Sequence, residues 1–376
     1  MPWGRGPLRI PAPVSTGAQG VADEIARRIG ELGGNRVDVD AAEILTGRAA
    51  LRNLSAPTQI SAGGATRLLA SPDGWWALTL SRADDVDAVP ALLERDDVGA
   101  DPWPSVVSAS TTGSARAWVR RARLLGLPAA VLGESRPAEP TVGVGGAPAQ
   151  RSLADLLVVD LSSMWAGPLC GALLAAAGAT VVKVETPARP DGTRAGDPQF
   201  FAWMNAQKLS CCVALEDPIL AGLLAVADVV VEGSRPGGLR RRGLGAEQVA
   251  ARAGRVWVRI SGYGAEHPDR VAFGDDAAVA GGLVGRRDGA PVFCGDAIAD
   301  PLTGLHAARA VLHSLARGGG SVIDVAMAAV AATYAALPEA PVATAVPTPP
   351  PPRTVRPLGA DNRRVEALIT ARRGAC

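Results

Sequence analysis

Lysine is almost missing from this chain: Lys183 and Lys208 are the only two, and arginine supplies nearly all of the 38 basic side chains. Set against 37 acids they leave a net charge of +1, which gives no electrostatic basis for holding nucleic acid or an anionic membrane. No uninterrupted apolar run reaches the roughly 18 residues of a membrane span, and no signal peptide is read at the start. The five cysteines include the neighbours Cys211 and Cys212 but no pair with metal-ligand spacing. That pattern points to reduced thiols in the cytoplasm and to no metal. A GxGxxG loop is missing as well, which bears on the most regular stretch of the sequence.

That stretch runs from Asp155 to Glu185. Residues 156–161 form a short apolar run with two valines, the pattern of a strand buried on both faces. Residues 162–167 are a small-residue turn, and Pro168 suits the first turn of the helix predicted over 169–177. A second strand, 180–185, ends on Glu185. The unit is βαβ, with a helix N-terminus that suits an anion. A dinucleotide fold with Glu185 on a ribose fits poorly, because AGPLCG is not GxGxxG and Pro168 lies where backbone should meet pyrophosphate.

With 48% hydrophobic residues the 376-residue chain can bury sizeable cores, and its length is a prior for two or three domains of roughly 100–200 residues. Residues 1–20 read as irregular, 21–32 and 41–51 as helices, 67–70 and 75–80 as a hairpin, 114–125 as a helix and 128–132 as a strand. Residues 1–135 are thus expected to form a small α+β domain, followed by a Pro/Gly/Ala-rich linker over 136–150. Over 151–337 strands and helices alternate: helix 219–227, strand 228–232, helix 246–253, strand 255–261, helix 305–315, then a strand and an apolar helix. The expected class is α/β, a Rossmann-like parallel sheet with helices on both faces. Its ligands would sit at the strand carboxyl ends, near residues 162–167, 185–186, 233–237 and 262–264. A Pro-rich tether over 338–355 and a C-terminal helix and tail over 356–376 complete the order. Asp300 precedes a helix, so spacing alone leaves open whether it is an N-cap or a functional carboxylate.

Six segments in a fixed order resemble the class III CoA-transferases, which include formyl-CoA and carnitine CoA-transferases and the related α-methylacyl-CoA racemases. They are VVDLSSMWAGPLCGALLAAAGATVVKVE, FFAWMNAQKLSCCVAL, ADVVVEGSRPGGLRRRGLG, VRISGYG, DPLTGLHAARAVL and GGSVIDVAM, between Leu153 and Leu337. The resemblance implies a Rossmann-like large domain and CoA as a substrate lying across Met164, Trp165 and Ala166, with Thr186 nearby. It adds Gly233 and Ser234 from the turn, Arg241 for phosphate, and Leu215 and Tyr263 as lining. In the family's transferases an aspartate attacks the acyl-CoA and becomes an acyl anhydride, then an aspartyl-CoA thioester. Asp300, in Asp-x-x-Thr-Gly-x-His, falls on that aspartate, and helix N–H groups are expected to hold it ionised.

Three departures stand out. Where the racemases carry Gly-His-Asp, this chain has Gly274-Asp275-Asp276, so a histidine base is missing. His306 and His313 are expected to be packing or surface residues, with His267 in a loop, and Thr186 stands where an arginine is frequent. Residues 60–132 look like the family's small domain moved in front of the large one, and Gly63–Gly64 resembles its glycine loop over the active site. The expectation is a CoA-transferase moving CoA from an acyl-CoA to a carboxylic acid. The alternatives are an acyl-CoA racemase or isomerase, or a non-catalytic CoA-binding partner subunit. Family members are interlocked dimers, so a homodimer is expected, with the front domain near the other chain's Asp300.

Overall fold

The computed structural model describes residues 8–233, 237–338, 342–344 and 349–374. Its strands, in chain order, are β1 (Arg9–Pro11), β2 (Thr66–Ser71), β3 (Gly74–Thr79), β4 (Ala129–Val131), β5 (Thr141–Val144), β6 (Leu157–Asp160) and β7 (Thr180–Glu185). There follow β8 (Leu209–Cys212), β9 (Val229–Glu232), β10 (Val256–Ser261), β11 (Val284–Arg287), β12 (Ala290–Phe293), β13 (Ser321–Ala326) and β14 (Val342–Thr344). The main sheet has seven strands in the order β5-β13-β10-β9-β6-β7-β8. All neighbours are parallel except β5, which runs antiparallel on the edge beside β13. The six parallel strands carry the order of a doubly wound sheet, whose direction of winding reverses between β6 and β9.

Period-two alternation explains why these strands read as continuous apolar runs. Val158, Val181, Val229, Val231 and Val258 enter a core beneath the helices Ala12–Glu31, Ala166–Ala176 and Ala299–Ala316. Their neighbours Leu157, Val159, Val182, Val230 and Trp257 enter the opposite core, against Pro218–Val226 and Asn362–Gly374. Both faces are therefore dry, and polar residues are left to the strand ends.

The front of the chain divides between two cores. Val14, Val21, Ile25 and Ile29 of the first helix, and Ile44 and Leu45 of Ala41–Leu51, pack into the core of the main sheet. The antiparallel sheet β2-β3-β4 instead folds around Trp76, Leu78, Leu92, Trp103, Val106 and Val119. Its other face, through Leu68 and Ala77, meets Val279 of the helix Gly274–Gly281 and Phe293 of β12. Among the described residues no helix is long and apolar enough to cross a membrane.

Several expectations are corrected. The first helix starts at Ala12 inside the stretch read as irregular, because Pro13 falls in its first turn, where a missing N–H costs nothing. Gly17 is tolerated there because its bare face meets Tyr334, 3.2 Å from where a Cβ would lie. The linker 136–150 contributes β5 rather than only connecting. Residues 246–253 make a turn and no helix: the Arg255 guanidinium takes the carbonyls of Ala250, Ala225 and Ala227, so the chain end there is held by a side chain. The tether 338–355 lies partly outside the described residues, and its Val342–Thr344 segment pairs with β1.

Candidate active site

Asp300 is the second residue of the helix Ala299–Ala316, whose N-cap is Ile298, and it does not cap that helix. Its Oδ2 accepts a hydrogen bond of 3.1 Å from the backbone N–H of Gly274, at the start of another helix. No protein group among the described residues donates to its Oδ1. The capping reading is thereby overturned: spacing placed an aspartate near a helix start, and the side chain turns away from its own helix.

Three carboxylates gather here because the loop after β12 meets the start of the helix Gly274–Gly281. Between β12 and the helix, Gly295 and Ala297 adopt positive φ of 65° and 43°. The bend buries Asp296 and lets the Ala297 N–H donate to Asp275 Oδ1 at 3.0 Å. Gly274 must lack a Cβ, which would lie 2.3 Å from Ala297 O and 2.5 Å from Asp300 Oδ2. From the front of the chain, Ser61 donates to Asp275, and Arg48 Nη1 meets Asp296 Oδ1 at 2.6 Å. The Arg48 guanidinium also lies 5.7 Å from the ring centroids of Trp165 and of Phe200.

Burial pushes Asp300 up to about 7; Arg48 and the Gly274 N–H oppose it, and Asp275 and Asp296 add to it. Asp275 is pushed up to about 6 by burial and by Asp296, against Arg48 and Ser61. Burial also raises Asp296, with Arg48 pulling the other way. These directions correct the expectation that helix N–H groups hold Asp300 ionised: one N–H is outweighed by desolvation and two neighbouring acids. Asp275, which stands where the racemases carry histidine, is enclosed, and burial moves its carboxyl toward neutrality. His306 is pushed down to about 3 by burial, and its Nε2 pairs with Tyr334 Oη at 3.1 Å, so it is a neutral packing residue, as its helical position suggested.

The predicted CoA-loop residues fall into two groups. Met164, Trp165 and Ala166 lie at the carboxyl end of β6, at the reversal of winding. Met164 holds a positive φ of 73°, an uncommon backbone for a side chain that is 41% exposed. Its N–H donates to Asp191 at 3.2 Å, and Asp191 in turn takes Lys183 Nζ at 2.9 Å. Lys208 Nζ binds Asp160 Oδ2 at 2.7 Å and Pro168 O at 2.8 Å. The only two lysines are thus buried struts of this loop. Trp165 is 2% exposed with an Nε1 that has no partner, and Ala166 O lies 2.7 Å from where a Gly304 Cβ would project, which ties this loop to the Asp300 helix. Gly233 adjoins it: a Cβ there would fall 2.8 Å from that of Ser162.

The other predicted residues stand apart. Thr186 closes a turn with Arg189, whose N–H donates to its Oγ1 at 3.1 Å, and Glu185 is occupied by Arg194 and the Asp191 N–H. Leu215 packs at the margin of the opposite core. Arg241 is exposed in a short turn, beside a cavity of about 200 Å³ lined by Glu232, Gly237, Arg240, Arg259 and Asp324. Tyr263, expected to line the site, is enclosed among Ala130, Ala280 and Ala328, because β4 lies over it. Ser234 lies outside the described residues. Gly63 and Gly64 form an exposed turn, Gly64 at φ 82°, and a Gly63 Cβ would stand 3.6 Å from Arg48 Nη2. The front segment therefore reaches Asp300 of its own chain. Sequence reasoning missed Arg48, Ser61 and Asp296; pairing of residues about 250 apart leaves no local signature. Among the described residues no three His, Cys, Asp or Glu side chains are placed to hold a metal ion.

Comparison with known proteins adds an independent finding. Residues 153–356 match the model of CoA-transferase family III. The chain is 34% identical over 196 residues to a succinyl-CoA–D-citramalate CoA-transferase of Chloroflexus aurantiacus, covering 46% of this chain and 49% of the relative. It is 35% identical over 195 residues to the human succinyl-CoA:glutarate CoA-transferase, covering 46% and 44%. It is 32% identical over 197 residues to a formyl-CoA:oxalate CoA-transferase of Afipia carboxidovorans, covering 47% and 46%. A solved structure of a hypothetical protein of Mycobacterium tuberculosis is 31% identical, with a TM-score of 0.45 over 50% of this chain and 57% of that one. The chain spans about half the length of the curated relatives it matches. Asp300 and the β6 loop lie inside the matched residues; Arg48, Ser61, Gly63 and Gly64 lie before them.

Proposed function

This chain belongs to CoA-transferase family III, and from that premise we propose that it moves CoA from an acyl-CoA donor to a carboxylic acid, with Asp300 as covalent nucleophile. The observation that carries the reading is the state of the Asp300 carboxylate: Oδ2 is anchored by the Gly274 N–H, and no donor among the described residues is placed on Oδ1. A carboxylate fixed at one oxygen is oriented for attack with the other.

The bonds balance without a net proton. Ionised Asp300 attacks the thioester carbonyl, the C–S bond breaks, and CoA leaves as thiolate from an acyl–aspartyl anhydride. The thiolate attacks the Asp300 carbonyl carbon, releasing the donor acid as carboxylate and forming an aspartyl-CoA thioester. The acceptor carboxylate then attacks that carbon, expels the thiolate and forms a second anhydride. Return of the thiolate to the acceptor carbonyl gives the new acyl-CoA and frees Asp300. CoA is a substrate here and must stay close between steps. The loop Met164–Ala166 with Gly233 and Ser234 is assigned to it, and Arg240 and Arg241 supply charge for phosphate.

The Gly63–Gly64 turn is assigned to covering the intermediates, since an anhydride open to water hydrolyses. A homodimer in the cytoplasm is part of this reading; sedimentation that finds a concentration-independent monomer contradicts it. The test of activity is direct. The protein is incubated with a panel of acyl-CoAs and free carboxylic acids, and new acyl-CoA species are sought by chromatography. New species that require both donor and acid support transfer. Tight CoA binding with no product supports the partner-subunit reading instead.

A further inference from the structure

We propose that Arg48 is the clamp for the carboxylate of the acid substrate, holding it beside Asp300. The inference rests on the transferase reading above and names a residue before the family match, which begins at residue 153. The chemistry creates the need: an acid that attacks the aspartyl-CoA thioester must bring its own carboxylate into a space that already holds the carboxyls of Asp275 and Asp296. Like charges so placed repel unless a cation stands among them.

Arg48 is the cation that acts on all three acids. Arg52, the other arginine felt by Asp296, is turned to Asp197 at 3.6 Å. Among the described residues only part of the Arg48 fork is used, through Nη1 on Asp296 Oδ1 at 2.6 Å. The Nη2 edge faces the Gly63 turn, where the missing side chain leaves room, and the Arg48 side chain is 18% exposed. A guanidinium offers five donors in a planar fork that matches a carboxylate with two parallel hydrogen bonds, so one acid does not exhaust it. A second observation points to a ligand oxygen. Trp165 Nε1 is buried without an acceptor among the described residues, on a ring that lies 5.7 Å from the same guanidinium. A buried donor left unpaired is costly, and a bound carboxylate supplies acceptors next to it.

Arg48→Lys keeps the charge and loses the fork; Arg48→Gln loses both. The two half-reactions are read separately at pH 9, above the value of about 7 of Asp300 in the wild-type protein. Adduct formation from acyl-CoA alone reports Asp300; the acid's KM in the full reaction reports the clamp. The expected result is an acceptor KM raised about ten-fold or more in Arg48→Lys, over and above whatever change the variant makes in adduct formation. Unchanged acceptor KM, or equal loss in both half-reactions, overturns the clamp while leaving the nucleophile intact. Absence of any adduct in the wild-type protein overturns the transferase reading itself. Because the variants must fold to be read, the wild-type protein is also labelled with phenylglyoxal. Succinate, and not succinamide, is expected to protect Arg48; equal labelling with both overturns the proposal.

Discussion

Gly274→Ala places one methyl group at the point where the Asp300 helix, the loop before it and the Gly274 helix converge. That carbon would stand 2.3 Å from Ala297 O and 2.5 Å from Asp300 Oδ2, where ordinary contact begins at 3.4 Å. The overlap is about 1 Å on two sides, and neither neighbour is a loose side-chain end. Ala297 O belongs to a backbone already at φ 43°, and Asp300 is held by the Gly274 N–H itself. Overpacking of this kind costs about 1–3 kcal/mol. At roughly 2–4 °C per kcal/mol for a chain of a few hundred residues, the melting temperature falls by about 2–12 °C. Relief of the clash moves the nucleophile, and a displacement near 1 Å costs about 100-fold in rate. The assay pairs thermal unfolding with turnover in the transfer reaction. Gly30→Ala is the control, because its added methyl meets open space on the Ala12–Glu31 helix; it leaves turnover unchanged and does not lower the melting temperature, alanine being the better helix former. A Gly274→Ala protein with wild-type melting temperature and wild-type turnover refutes the reasoning.

Further expectations follow from the same cluster. Attack requires ionised Asp300, so adduct formation rises with pH through about 7, and a rate flat between pH 5 and 9 contradicts the assignment. A carboxyl raised in the fold from 3.8 to about 7 stabilises the folded state fully at low pH and loses that contribution as pH rises to about 7. Asp300→Asn is therefore more stable than wild type at pH 8 and loses this advantage toward pH 4, as differential melting curves will show; lower stability at pH 8 restores the capping reading. Racemisation is not expected: the Gly274-Asp275-Asp276 triplet has no histidine, and Asp275, which stands in its place, is engaged by the Ala297 N–H and by Ser61. Solvent deuterium entering the α-carbon of a 2-methylacyl-CoA at a catalytic rate disproves this.

What was legible in the sequence was periodic or local. Leu157–Asp160, Thr180–Glu185 and Val229–Glu232 announce themselves because burial on both faces forces apolar runs, and the turns between them confine the ligand loops. Asp300 was legible only through a motif; its spacing left open a cap that the side chain does not make. What could not be read depends on distant pairing. Nothing near Arg48 says that it meets Asp296, and nothing near Gly274 says that its amide holds Asp300. The expected helix at 246–253 and the irregular start failed for a related reason. The Arg255 guanidinium in one case, and Tyr334 packing in the other, decided the backbone.

The most direct test of the account is mass spectrometry of the intact protein and of its peptides after mixing with acyl-CoA in the absence of any acceptor acid. The account predicts a covalent mass increase matching acyl or CoA, located on the peptide that carries Asp300, and none in Asp300→Asn, which still binds CoA. An adduct that persists in Asp300→Asn, or transfer by that variant at a near wild-type rate, contradicts it.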